Sequence, residues 1–171
     1  MEALLTLATT EHGLNRTEEF DLAETCRRAL EAHCVQAEHQ GLRLDTELGH
    51  AIISGDQDLA ERLAANLIDN AIRYNIPSGS VRVRTETEWD SAVLTVTNTG
   101  LPIPPELVGQ LFEPFHRLIE DRASHPDGHG LGLSIVRSIA TAHGADLDVQ
   151  LPPDGGLAVR VRFRARGRVP A

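Results

Sequence analysis

From Asp56 to Tyr74 the sequence DQDLAERLAANLIDNAIRY repeats its apolar residues every three to four positions. On a helical wheel Leu59, Ala60, Leu63, Ala64, Leu67, Ile68 and Ala71 form one broad arc, with Arg62, Asp69 and Arg73 opposite. Such a helix needs an apolar surface to lie on. Four segments supply it by alternation: VRVRTETE (81–88), AVLTVTN (92–98), DLDVQL (146–151) and GLAVRVRF (156–163). Each reads as a strand with one apolar and one polar face. The first two form a hairpin, and Pro152 to Gly156 turns between the last two.

The remaining elements are shorter. Asp21 and Glu24 form a capping pair for a helix to about Gln40, closed by Gly41. LRLDTEL (42–48) and AIIS (51–54) read as strands separated by Gly49. From Gly100 to His129 five prolines break any period, apart from a short helix around Glu106 to Leu111. A loop of that length is functional or mobile. LGLSIVRSIATAHG (131–144) is a helix ended by Gly144. Helices and strands do not strictly alternate. The expected fold is therefore a two-layer α/β sandwich, a mixed, mostly antiparallel sheet covered on one face by helices.

At 171 residues the chain suits one domain. Residues 1–15, with Leu4, Leu5, Leu7 and Ala8, read as the end of an amphipathic helix that begins upstream, making Met1 an introduced start. No window reaches the roughly 18 to 20 apolar residues of a membrane span. With Glu2 and no basic leader, the start is not a signal peptide, so the chain is expected to be soluble. A net charge of −9 argues against nucleic acid as a partner. All 16 basic residues are arginine, so any cationic contact to phosphate must be a guanidinium. The run of Arg160, Arg162, Arg164 and Arg166 alternates with apolar residues and reads as the solvated face of a strand. Cys26 and Cys34 would lie about 12 Å apart along one helix, too far for a disulfide. They are expected to be free thiols in a reducing compartment.

Asn66 and Asn70 fall one turn apart at the border between the two faces of the 56–74 helix, with Tyr74 beside Asn70. A core rejects amides unless their hydrogen-bonding groups are used. At that border an amide oxygen suits a hard cation such as Mg²⁺; the alternative is that both amides bond backbone loops. Three downstream segments bear on this choice. VTNTGLPIP ends a strand at Asn98 and turns at Gly100. LFEPFHRL carries Phe112, Phe115 and Arg117. DGHGLGLSIV places Gly128, Gly130 and Gly132 ahead of a helix, where backbone N–H groups form an anion site.

Together these four segments resemble the ATP-binding catalytic domain of sensor histidine kinases, within the group that shares the Bergerat ATP-binding fold with gyrase, Hsp90 and MutL. NLIDNAIRY is similar to the asparagine box, VTNTG to the first glycine box, LFEPF to the phenylalanine box and GHGLGLSIV to the second glycine box. The resemblance covers roughly residues 21–165, with 1–20 as the remnant of an upstream dimerisation helix and linker and 166–171 as a tail. It implies that Asn70 is the Mg²⁺ ligand, that Asn66 is a polar contact to the metal–phosphate group and that Arg73 contacts the phosphates. It also implies a nucleotide site lined by Tyr74, Asn98, Gly100, Arg117, Gly128, His129, Gly130, Leu131 and Gly132, with residues 113–129 as a lid. Asn98 would face the adenine amino group, and the phenylalanines would anchor the lid in the core. ATP and Mg²⁺ are the implied cofactors. The implied partners are a dimerisation domain carrying the phosphoacceptor histidine and a response regulator, in the cytoplasmic part of a homodimeric membrane sensor. The fragment itself is expected to be monomeric.

The sequence departs from the family pattern in two places. The first glycine box usually reads Asp-x-Gly-x-Gly, whereas here it reads Asn98, Thr99, Gly100, Leu101, Pro102. On charge alone, an aspartate at 98 would bind ATP about fivefold to tenfold more tightly. The phosphoacceptor pattern, a histidine followed by an acid and then a proline, is absent, and His143 before Gly144 reads as a structural helix-end residue. Position 66 discriminates among relatives. Hydrolytic members and anti-sigma serine kinases carry a glutamate there as general base, and the amide of Asn66 cannot take a proton from water. The leading reading is therefore a histidine kinase catalytic domain. The alternatives are a pseudokinase docking module with weakened adenine recognition and an ATPase of the gyrase or MutL kind.

Overall fold

The computed structural model describes residues 17–115 and 131–164. The amphipathic start, the C-terminal tail and the lid residues Arg117, Gly128, His129 and Gly130 lie outside the described residues. Five strands form the main sheet in the order β2 (Arg43–Leu48), β4 (Ser80–Glu88), β5 (Ser91–Asn98), β7 (Leu157–Arg164) and β6 (Asp146–Gln150). Among the described residues only the β2–β4 pair is parallel. Helices α1 (Leu22–His39), α2 (Gln57–Arg73) and α3 (Gly132–Ala142) cover one face, in agreement with the expected sandwich.

Register explains the layering. Val81 and Val83 of β4, Leu94 and Val96 of β5, and Val159 and Val161 of β7 sit in neighbouring positions and are buried against the helices. The alternate residues face water as charged ladders: Arg84 pairs with Glu47 and Glu86, Arg160 and Arg162 with Glu88, and Arg164 with Asp146. The arginine run is thus the solvated strand face expected from its period of two, at its described positions. Each described arginine of the run pairs with a carboxylate, Arg160 and Arg162 sharing Glu88.

One element has no counterpart in the sequence reading. Strand β1 (Glu18–Asp21) pairs antiparallel with β3 (Ile52–Gly55) in a separate two-stranded sheet. Its four residues, EEFD, include a single apolar side chain, Phe20, and carry no readable period. The strand exists because its partner is held nearby. Asp21 accepts from Ala23 N–H at 2.9 Å as the cap of α1 and from Ala51 N–H at 3.1 Å ahead of β3.

Helix ends follow local chemistry. Gly41, at φ +65°, closes α1: its N–H reaches Glu38 C=O and the Leu42 N–H reaches Ala37 C=O. Gly144, at φ +62°, closes α3 with the same pair of bonds, to Thr141 and Ala140. That double bond needs a left-handed residue, which glycine supplies without a steric penalty. Cys26 is buried in α1 and burial pushes its thiol pKa up to about 12; Cys34 is half-buried, and both are free thiols. No helix among the described residues is long and apolar enough to cross a membrane.

Candidate functional site

Helix α2 brings the amides to the margin of the helical layer. Its buried stripe, Ala60, Leu63, Ala64, Leu67, Ile68, Ala71 and Ile72, faces the core, while Asn66 and Asn70 are half-buried beside it. The flank expected to be solvated is partly covered by α1: Gln36 donates to Asp69 at 3.2 Å and Arg28 pairs with Glu61. Arg73 lies on this flank and is paired with Asp69 at 3.3 Å.

The two amides differ in their bonding. Asn66 Nδ2 donates to Arg62 C=O at 2.7 Å, which leaves its oxygen outward. A Cβ placed on Gly132 would come within 3.6 Å of that oxygen, so Asn66 and the first turn of α3 face each other. Among the described residues no side chain caps α3, which has Leu131 at its cap position. Uncapped N–H groups at a helix start favour an anion. Asn70 differs: among the described residues nothing bonds its side-chain amide.

The second half of the site lies where β5 ends. Asn98 is buried, at 6% exposure, and its Nδ2 donates to Thr99 C=O at 2.8 Å. Its Oδ1 has no partner among the described residues, although a buried acceptor in a folded protein almost always has one. Gly100 is wedged beside it. A Cβ there would stand 3.0 Å from the Tyr74 carbonyl and 3.3 Å from Asn98 Nδ2. Tyr74 caps α2 through Asn70 C=O, so the end of the amide-bearing helix and the Asn98 turn are in contact.

The donor set fits Mg·ATP in chemical type. A buried unpartnered oxygen at Asn98 suits the exocyclic amino group of adenine. An amide at Asn70 that nothing bonds among the described residues suits a cation that draws its other oxygens from phosphates and water. Among the described residues no cluster of three His, Cys, Asp or Glu could cage a metal on its own. Phe112 is buried, as an anchor should be, but Phe115 is 63% exposed with φ +60°.

Three contributions escaped the sequence reading. Asn75 bonds Ala71, Ile76, Ser80 and Thr99, and it joins the helix end to the strand ends. Thr99 is the other half of that joint. Gly155 and Gly156, at φ +93° and +91°, back the Asn98–Pro102 turn; a Cβ on Gly156 would overlap Asn98 C=O and one on Gly155 would overlap Gly100 C=O. The pattern PPDGG announces a turn, but nothing in it says which backbone the turn will meet.

Known proteins resemble this chain in sequence and in fold. The sensor protein CutS of Streptomyces coelicolor is 42% identical over 162 residues, covering 94% of this chain and 39% of CutS. The probable sensor protein PcoS of Escherichia coli is 34% identical over 149 residues, covering 86% of this chain and 32% of PcoS. The chain thus spans about two fifths or less of these curated relatives. Among solved structures, the mycobacterial sensor histidine kinase MprB superposes with a TM-score of 0.75 at 28% identity, covering 88% of this chain and 99% of that one. The family of histidine kinase-, DNA gyrase B-, and HSP90-like ATPases matches residues 55–167, and this chain belongs to it.

Proposed function

We propose that this chain is the ATP-binding catalytic domain of a sensor histidine kinase, which binds Mg·ATP and transfers the γ-phosphoryl group to a histidine on a dimerisation domain for relay to a response regulator. Asn70 would hold the metal, and Asn66 with the first turn of α3 would meet the phosphates. Arg73, released from Asp69, would add a guanidinium fork to phosphate oxygens. Asn98 would read adenine. Bound Mg²⁺ would supply charge neutralisation on the phosphates.

The observation that carries the kinase reading over hydrolysis is Asn66. Its nitrogen is committed to the Arg62 carbonyl, and an amide oxygen is not a base. Imidazole needs no activating base, because the lone pair of a ring nitrogen attacks phosphorus directly. The P–N bond forms as the β–γ bridging P–O bond breaks, and ADP leaves with the electron pair. The chain would be incubated with labelled ATP, Mg²⁺ and a dimerisation-helix fragment from a matching sensor; label on the fragment's histidine is expected, and ATP turnover without label would sink the reading.

A second reading, a docking pseudokinase, is favoured by the neutral Asn98 and by Pro102 in the first glycine box. Calorimetry with ADP separates the two, since a docking module of this kind gives little or no binding heat.

A further inference from the structure

Asn75, just beyond the cap of α2, spends its whole side chain on neighbours. Its Nδ2 donates to Ala71 C=O and Ser80 C=O, each at 3.0 Å. Its Oδ1 accepts from Ile76 N–H at 2.9 Å and from the Thr99 hydroxyl at 2.6 Å. An amide has two donor hydrogens and two acceptor lone pairs, so its orientation is fully specified. Thr99 is gripped in turn: its hydroxyl accepts from Ser80 N–H at 2.8 Å, and its own N–H donates to Ser80 C=O at 3.1 Å. The carbonyl of this anchored Thr99 accepts from Asn98 Nδ2. A continuous chain of bonds therefore runs from the end of α2 through Asn75 and Thr99 to Asn98.

The last bond decides which end of the Asn98 carboxamide is spoken for. With one N–H tied to Thr99 C=O, the carboxamide is held in one orientation, and its oxygen, an acceptor, has no partner among the described residues. If the Thr99 peptide could shift, the carboxamide could turn over and offer N–H instead. The two orientations prefer opposite bases, because an amino group donates to oxygen and a carbonyl accepts from N–H.

We propose that Asn75 is a positioning residue for nucleobase selection: through Thr99 it holds Asn98 with its oxygen presented, so that the site takes a 6-amino purine and rejects a 6-oxo purine. The proposal rests on the nucleotide-binding reading above. Two acceptors face to face leave both unsatisfied in a buried site, and that mismatch is the source of rejection.

The test measures dissociation constants for ADP and GDP in Mg²⁺, by displacement of a fluorescent ADP analogue, and takes the GDP/ADP ratio as its readout. Thr99→Val removes the hydroxyl at nearly constant shape, and Asn75→Ala removes the amide. Each is expected to lower the ratio by about fivefold to tenfold. Thr99→Ser restores the hydroxyl and should keep the wild-type ratio. A role confined to folding would weaken ADP and GDP alike, and an unchanged ratio in Thr99→Val overturns the proposal even if Asn75→Ala does not fold. A wild-type ratio near one overturns it too. Wild-type protein that binds neither nucleotide overturns the nucleotide reading itself, whereas selective wild-type binding with unaltered variants overturns the positioning role alone.

Discussion

His143 accepts a hydrogen bond from the Asp56 backbone N–H at 3.1 Å through Nε2, while its Nδ1 lies 2.9 Å from Ile139 C=O as the donor. The ring thereby ties the end of α3 to the start of α2, and its edge packs on Phe163 of the sheet. Gly55 lies against the same ring; a Cβ there would overlap His143 Cδ2.

This contact predicts a coupled pair of substitutions. His143→Ala strands the buried N–H of Asp56 and should cost about 1–3 kcal/mol in urea unfolding. Gly55→Ala should also destabilise, by collision with the ring. The double variant should lose less than the two costs added, because the alanine at 143 removes the obstacle. Additive costs would show that the two residues do not meet.

Asn98→Asp separates charge from geometry. Charge alone favours aspartate, yet a carboxylate in place of the amide would set an oxygen against Thr99 C=O, where Nδ2 now donates. Calorimetric ADP affinity is expected to fall about fivefold to tenfold. A gain would mean that the carboxylate turns away from Thr99 and reads the base directly.

Asn70→Ala tests the metal role. Alanine is the better helix former by up to about 0.7 kcal/mol, and no bond among the described residues is lost, so thermal stability should hold or rise slightly. Phosphotransfer to the acceptor helix should be abolished, as should any Mg²⁺-dependent gain in ADP affinity. Retained transfer would move the metal ligand elsewhere.

Asp21 predicts an acid limit. Burial on its own would raise the carboxyl pKa, but hydrogen bonds from Ala51 N–H, His50 and Ala23 N–H outweigh it, and the folded value lies below the ordinary one. A lowered folded pKa contributes stability above the unfolded value near ~4, lost as pH falls through the folded value. The urea midpoint should therefore drop from pH 6 to pH 3, and Asp21→Asn, which can still cap α1, should flatten that drop. An identical slope in the variant would assign the acid sensitivity to other carboxylates.

Much of this domain was legible because its signals are local. Periods of 3.6 and 2 marked α2 and strands β4 to β7; Asp21, Gly41 and Gly144 marked helix ends through bonds spanning at most five residues. The four boxes could be recognised for the same reason, each being a contiguous run. Strand β1 was not legible, since EEFD becomes a strand only when β3 lies beside it. Nor was the cover over Asp69, because the wheel of α2 carries no sign of where α1 will lie.

By itself the sequence determined which residues could do chemistry: the amides of Asn66, Asn70 and Asn98, and an asparagine where a general base would stand. The tertiary structure decided what surrounds them. It tied Asn75, at the end of α2, to Thr99, whose carbonyl holds an N–H of Asn98, and it set Asn66 opposite the first turn of α3. The bonds on the Asn66 and Asn98 nitrogens are themselves local, to Arg62 and Thr99, and the Asn70 amide is unbonded among the described residues. An amide is the same in every context on the page of a sequence, but its two ends are opposite in hydrogen bonding. Neighbours choose between them: local carbonyls for Asn66 and Asn98, and for Asn75 a hydroxyl that only the fold brings near.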